Sequence, residues 1–236
     1  MIIAILTGGG TGTRTHQDIP KQFIHVNNKP IIIYTLEAFQ NHPNIDEICV
    51  AILEGWDQML WAYAKQFNIT KLKYVVTGGA TGQESIFNGL KAIHADHDDK
   101  DVVIVHDGNR PMISAEILTA NLVAQKQYGS AVTAIPCTEV VFESEDGTTS
   151  QHSIPRENLQ RTQTPHSYYL GELWDAHMKA QELGIVNTAA SCSLMEKLGK
   201  KSYFSTGSEK NLKITTTDDI EIFSALLAAK KDSWIK

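Results

Sequence analysis

Long apolar runs, metal-ligand spacings and the usual nucleotide-loop signatures are all missing from this chain of 236 residues. No uninterrupted apolar stretch approaches the ~20 residues that a bilayer-spanning helix requires. Met1 runs directly into Ile2-Ile3-Ala4-Ile5-Leu6 without the flanks of a secretory leader. A cytoplasmic location and no membrane partner are therefore expected. Cysteine is scarce: Cys49, Cys137 and Cys192 are scattered without the spacing of a zinc site or a disulfide framework, as a reducing compartment would allow. Basic excess is absent too, and a net charge of −6 argues against a nucleic-acid partner. None of the nine histidines forms a His-Glu-x-x-His cluster, which disfavours a catalytic zinc. There is no Gly-x-Ser-x-Gly elbow for a serine hydrolase.

The most informative segment begins at the end of the first apolar run. Thr7-Gly8-Gly9-Gly10-Thr11-Gly12-Thr13 is followed at once by Arg14, and Pro20-Lys21-Gln22-Phe23 comes soon after. Glycines let a backbone approach a ligand closely, and successive free N–H groups form an anion nest. Arg14 and Lys21 add charge that a phosphate chain can use. A P-loop would need Gly-Lys-Ser/Thr, where this chain has Gly12-Thr13-Arg14. A dinucleotide fingerprint starting at Gly10 would need glycine at position 15, which is Thr15. The pattern points to a triphosphate cradle; a plain flexible turn is the bland alternative.

Further along, short apolar runs alternate with helical patterns, which predicts an α/β fold with a mainly parallel sheet. Strands are expected at Ile2–Leu6, Glu47–Leu53, Lys73–Val76, Val102–His106 and Ala131–Ile135. Helices are expected at Pro30–Phe39, Trp56–Phe67, Ser85–His94 and Ile117–Tyr128, with Ser114 capping the last. Thr138–Glu143 and Thr148–Ile154, around an Asp146-Gly147 turn, read as a hairpin arm outside the main sheet. A lone hairpin is marginal in water, so a second subunit is expected to cover it. A loop at Gln163-Thr164-Pro165, helices near 170–183 and 192–198, a strand at Lys201–Phe204 and a helix at Asp218–Lys230 complete a single domain over residues 1–236.

Ligands of such sheets bind beyond the carboxyl ends of the strands. That rule gathers the Gly-rich loop, Gly78-Gly79-Ala80, and His106-Asp107-Gly108-Asn109-Arg110-Pro111 around one crevice. Asp107, at the end of an apolar strand, reads either as a Mg²⁺ ligand or as a turn cap paired with Arg110. Ser85 reads as a helix cap or as a hydroxyl for a nucleobase edge. Lys213, in the β-like run Asn211–Thr216, and Arg156, just after the arm, gain a role only if the fold returns them to the crevice. His16 and His106 fall in crevice loops, but as lone histidines they carry little.

Taken together, these segments resemble the cytidylyltransferases that activate polyol phosphates, a family with methylerythritol-phosphate and ribitol-phosphate branches. The resemblance spans nearly the whole chain. It rests on the Gly-rich loop with Pro20-Lys21-Gln22-Phe23, Gly78-Gly79-Ala80 with Ser85, and His106 to Pro111. Gln163-Thr164-Pro165 and Asn211 to Thr216 complete it. It implies a Rossmann-like nucleotidyltransferase core with a protruding β-hairpin arm at about 137–160, exchanged in a homodimer. It further implies that Arg14, Lys21 and Lys213 hold the CTP phosphates, that Thr7 to Thr13 bind the nucleotide, and that Asp107 binds Mg²⁺. Gly79, Ala80 and Ser85 would read the cytosine, and Arg156 would reach the polyol phosphate in the neighbouring subunit.

The acceptor side departs from the family pattern. Glu139-Val140 stands where the family has Asp-Thr, with Thr138 two residues earlier on the same strand face, and Ala189-Ala190-Ser191 stands where it has Thr-Asp-Asp/Glu. An arginine common before the family serine is Gly82. The opening glycines are similar to the ribitol branch, and Arg161 to Pro165 to the methylerythritol branch; ribitol 5-phosphate is placed slightly ahead as acceptor. The alternatives are methylerythritol phosphate or another polyol phosphate, transfer to a sugar 1-phosphate, and a nucleotide-binding protein without turnover.

Overall fold

The computed structural model describes residues 1–10 and 19–231. Its centre is a seven-stranded sheet of β1 (Ile2–Gly8), β4 (Glu47–Ile52), β5 (Leu72–Thr77), β6 (Val102–Asp107), β7 (Ala131–Pro136), β10 (Gln160–Tyr169) and β11 (Phe204–Thr206). The spatial order is β11-β7-β10-β6-β1-β4-β5, and only β10 runs against its neighbours. β1 has the apolar composition of a strand buried on both faces. Ala4 and Leu6 face one core, with α1 (Ile31–Asn41), α2 (Asp57–Gln66) and α4 (Ala115–Tyr128). Ile3 and Ile5 face the other, with α3 (Gly82–His94), α5 (Leu170–Glu182) and α6 (Ser191–Lys197). α7 (Thr217–Lys231) joins through Phe223 a smaller cluster that also holds Ile24, Val26, Ile31 and Ile214. Among the described residues no helix is long and apolar enough to cross a membrane.

The first five expected strands and the four helices between them lie where periodicity places them, with no end moved by more than three residues. Ser114 does cap α4, accepting from Ile117 N at 3.4 Å. Five expectations need correction. Gln163-Thr164-Pro165 is not a loop but the irregular middle of β10, where pairing with β7 shifts between Thr162 and His166. Its polar, proline-bearing composition hides a strand whose hydrogen bonds come from two neighbours. The late strand is Phe204–Thr206 rather than Lys201–Phe204, because pairing with Val132 to Ala134 decides it. The run at 211–216 forms no strand; Thr215 N and Thr216 N instead donate to Asp219, which ends the run as a helix lead-in.

The arm is shorter than its β-propensity suggests. Only β8 (Val141–Glu143) and β9 (His152–Ile154) pair, and residues 144–151 connect them. Asp146 accepts from Thr148 N and Thr149 N, making a wide polar loop in place of a two-residue Asp-Gly turn. The fifth correction is the start of α3. Thr81 is its cap, accepting from Glu84 N at 3.1 Å, and Ser85 lies one turn inside. A two-stranded ribbon that periodicity did not indicate, β2 (His25–Val26) with β3 (Lys29–Pro30), precedes α1.

Candidate active site

A cavity of about 420 Å³ opens at the carboxyl ends of β1, β5 and β6. Two backbone loops form its floor, and they touch. A Cβ on Gly78 would stand 3.0 Å from Gly9 Cα and 3.3 Å from Ser85 Oγ. Glycine at both positions lets the loops after β1 and β5 abut, as no side chain would. The Ser85 hydroxyl accepts from Gly79 N at 3.0 Å and donates to Thr81 O at 2.9 Å. It therefore holds the Gly78–Gly79 backbone in place at the edge of the cavity.

Glutamine amides secure two of the surrounding loops. Gln22, fully buried, donates from Nε2 to Gly8 O and, at 2.9 Å, to Gly10 O. That clasp turns the described part of the Gly-rich loop so that Thr7, Gly9 and Gly10 line the cavity, with Gly8 behind them. Gln83 Nε2 donates to Ile185 O at 2.8 Å, and its Oε1 accepts from Thr188 N at 2.9 Å, fixing the stretch that leads into Ala189-Ala190-Ser191. Lys21 enters the lining from a short 3-10 turn, Lys21–Phe23, whose Phe23 ring stacks on Trp56 at 4.7 Å.

Asp107 ends β6 inside this frame. Lys213 Nζ meets Oδ1 at 2.8 Å and Arg110 Nε meets Oδ2 at 2.9 Å, so the expected pairing with Arg110 is present and Lys213 joins it. The Thr164 hydroxyl accepts from Asp107 N at 3.0 Å. Burial works to raise the Asp107 pKa, but Lys213 and Arg110 overcome it and hold the carboxyl well below the usual carboxylate range. Among the described residues, the charged side chains of the lining are Lys21, Arg110 and Lys213 against Asp107 alone. In a chain of net charge −6 this is a local cationic basin, suited to a polyanion.

The expected site residues thus divide into three sets. Thr7, Gly9, Gly10, Lys21, Gly79, Ala80, Ser85, Asp107 and Lys213 come together around the cavity, and Gly8 backs them. Thr11, Gly12, Thr13, Arg14 and His16 lie outside the described residues. Arg156 is exposed, away from this cavity, and donates to Thr138 O at 3.0 Å at the root of the arm. Residue-type reasoning overlooked Gln22, Gln83 and Thr164. Their amides and hydroxyl act on backbone far away in sequence, and the only local sign was their place inside motifs of uncommon composition.

Two histidines border the cluster, both buried. His166 Nδ1 shares a hydrogen bond with Ser191 Oγ at 2.8 Å, and His106 packs on Phe39 at 5.2 Å between ring centroids. Burial lowers the pKa of His106 to about 3 and that of His166 to about 4. His177, stacked on Phe87, is lowered by burial to about 4 as well. These rings are neutral when folded, while in the unfolded chain they protonate near the ordinary value of 6.5. Unfolding therefore takes up protons between pH ~6.5 and ~4, and stability falls as pH falls through that window. At about 1.4 kcal/mol per pKa unit, the loss reaches about 3 kcal/mol for each ring by the acid end. Melting temperatures at pH 7.5, 6.5, 5.5 and 4.5 should decline steadily; a flat series would refute the burial of these rings.

Comparison with known proteins places this geometry. The family described as "IspD: 2-C-methyl-D-erythritol 4-phosphate cytidylyltransferase" matches residues 2–229. A ribitol-5-phosphate cytidylyltransferase of Lacticaseibacillus paracasei is 42% identical over 98% of this chain and 100% of its own length. A 2-C-methyl-D-erythritol 4-phosphate cytidylyltransferase of Clostridium acetobutylicum is 36% identical, covering 99% of each. Among solved structures, the 4-diphosphocytidyl-2C-methyl-D-erythritol synthase of Anaerococcus prevotii superposes with a TM-score of 0.82 at 25% identity, over 97% of this chain and 96% of that one.

Proposed function

This chain belongs to the 2-C-methyl-D-erythritol 4-phosphate cytidylyltransferase family, and from that premise we propose that it transfers the cytidylyl group of CTP to ribitol 5-phosphate. CTP-dependent cytidylyl transfer to a polyol phosphate is its activity. The observation that carries the reaction is charge: an acidic chain whose described residues line the cavity with three cations and one carboxylate. Ribitol 5-phosphate as the acceptor is supported by the 42% identity, end to end, with a ribitol enzyme. The methylerythritol phosphate of the 36% relative is the second reading.

An oxygen of the acceptor phosphate attacks the α-phosphorus of CTP in line. The new P–O bond forms as the bond from the α-phosphorus to its bridging oxygen breaks, and pyrophosphate leaves with that electron pair. Catalysis of this kind rests on positioning and charge stabilisation. Lys21 and Lys213, together with Arg14, meet the charge that grows on the departing pyrophosphate. The backbone of Thr7 to Gly10 cradles the phosphates, with Thr11, Gly12 and Thr13 assigned to nucleotide binding by the motif, and Gly79, Ala80 and Ser85 take the cytosine. Ser85 does so indirectly, since its hydroxyl is already committed to Gly79 and Thr81.

The donor set suits Mg²⁺. Among the described residues Asp107 is the one acid in the lining, and no group of three or more His, Cys, Asp or Glu could hold a metal. Mg²⁺ takes one or two carboxylates and completes its shell with substrate phosphates and water. Asp107 would hold it, and the ion, once bound, would offset triphosphate charge.

The arm supports a homodimer. Val140 and Phe142 are 71% and 57% exposed on a hairpin of three paired positions, which is too little to stand alone in water. Arg156, at the arm's root, serves the acceptor phosphate of the neighbouring site. Arg156→Ala is expected to raise the acceptor KM at least tenfold and leave CTP binding intact. Mixing it with Lys21→Ala should restore activity, because one of the two sites in a mixed dimer regains both residues. Absence of any recovery on mixing would refute action across subunits.

The function is tested by pyrophosphate release with CTP and Mg²⁺ against ribitol 5-phosphate, methylerythritol 4-phosphate, glycerol 3-phosphate and sugar 1-phosphates. The expected result is a kcat/KM for ribitol 5-phosphate at least tenfold above the others, abolished by a chelator. Preference for methylerythritol phosphate would overturn the acceptor assignment.

A further inference from the structure

Lys213 is 43% exposed at its side chain, yet its ammonium is held 2.8 Å from Asp107. A solvent-facing ion pair cannot fix a long side chain by itself. The backbone that carries it is irregular: residues 207–214, between β11 and α7, form no helix or strand. Buried amides from elsewhere supply the missing ladder. Gln163, 7% exposed, donates from Nε2 to Ser208 O at 2.8 Å and accepts at Oε1 from Ser208 N at 3.3 Å. Its amide thereby imitates a neighbouring peptide unit, making a two-point bridge to one residue of the strap. The other end is also bridged at two points, one through a side-chain amide and one through backbone. Asn109, 4% exposed, accepts from Ile214 N at its backbone oxygen at 2.9 Å and donates from Nδ2 to Ile214 O. Between them, Asn211, fully buried, donates to Thr164 O at 2.9 Å, and its own carbonyl accepts from Arg110 Nη1 at 2.7 Å.

We propose that Gln163 and Asn109 are positioning residues for Lys213: two amide clasps that turn an irregular strap into a rigid mount for the cation beside Asp107. The clasps stand immediately next to the groups they serve. Asn109 lies two residues after Asp107, Gln163 one residue before Thr164, and Ile214 one residue after Lys213. Buried hydrogen bonds are stronger than exposed ones and costly to leave half-made, so the mount is stiff where the ion pair alone is soft. The catalytic part of this inference rests on the proposed role of Lys213 in phosphate stabilisation; the positioning part does not.

The test uses the full chain and two readouts. In a double-mutant cycle, Gln163→Met should lower kcat/KM for CTP at least tenfold in the wild-type background. In a Lys213→Met background it should lower it less than threefold, since a residue acting through Lys213 has nothing further to remove. Equal losses in both backgrounds would overturn the proposal. Independently of turnover, brief acetylation with acetic anhydride should label Lys213 severalfold faster in Gln163→Met, with the surface residue Lys179 as internal reference. Unchanged labelling would also overturn it. Asn109→Ala, at the other end of the strap, should reproduce both effects and replaces Gln163→Met if that variant does not fold. Full activity of Lys213→Met with accelerated labelling in Gln163→Met would refute the catalytic role of Lys213 while upholding the mount.

Discussion

Lys21→Ala is expected to reduce pyrophosphate release by ~10²–10³ at saturating CTP, the usual consequence of removing one preorganised charge from a phosphoryl-type transition state. The size of the effect follows from how the lysine is mounted. Pro20, Gln22 and Phe23 around it are buried. Gln22 is tied to the Gly-rich loop, and Phe23 is stacked on Trp56. The ammonium therefore acts from a fixed turn, with little reorganisation left to the moment of reaction. Because the charge counts most where pyrophosphate departs, kcat should fall much more than the affinity for CTP. Nucleotide titration beside steady-state kinetics checks this. A tenfold or greater loss of CTP affinity with unchanged kcat would make Lys21 a ground-state anchor only.

The largest effect on stability is expected at Asn121, far from any chemistry. Its Nδ2, with two hydrogens to give, lies 3.1 Å from each of Thr133 Oγ1, Pro165 O and Ser205 Oγ, the two hydroxyls also bonding each other at 3.3 Å, and its Oδ1 accepts from Ser167. One amide on α4 thus serves polar groups of β7, β10 and β11. Asn121→Leu keeps the branched shape and the heavy-atom count, and strands at least the Pro165 carbonyl and the Ser167 hydroxyl. At ~1–3 kcal/mol for each buried group left unpaired, the loss is ~3–5 kcal/mol, a large share of a typical domain's stability. For a chain of this size that corresponds to a fall in Tm of about 10 °C. A change below about 2 °C would show that the network is dispensable. The substitution also loosens the irregular part of β10 that carries Thr164 to Asp107, so activity should fall at temperatures well below the melt.

Both predictions concern residues whose partners are remote, which is where reading the chain was weakest. Gln163 and Asn211 stand out as motif members but give no local sign that one clasps Ser208 and the other supports the Thr164 carbonyl. Arg110 was legible as a partner of Asp107, because a separation of three residues in a tight turn brings the two together. Lys213 was not, since 106 residues separate it from the carboxylate it meets. The hairpin arm was read correctly in place but not in length. Strand propensity extends over Thr138–Glu143, whereas only Val141–Glu143 finds a partner.

By itself, the sequence determined the layered α/β core and the position of the crevice. The periods of two and 3.6, the capping Ser114, and the glycine runs after β1 and β5 are local properties, and local sterics and burial suffice to express them. Tertiary structure alone decided the insertion of β10 against the direction of its neighbours, the passage of the 207–214 strap across it, and the meeting of Lys213 with Asp107. Those features depend on which backbone groups find partners once the sheet has closed. Every buried N–H and C=O must be paired somewhere, and the partner that an amide such as Gln163 finds is set by proximity in space.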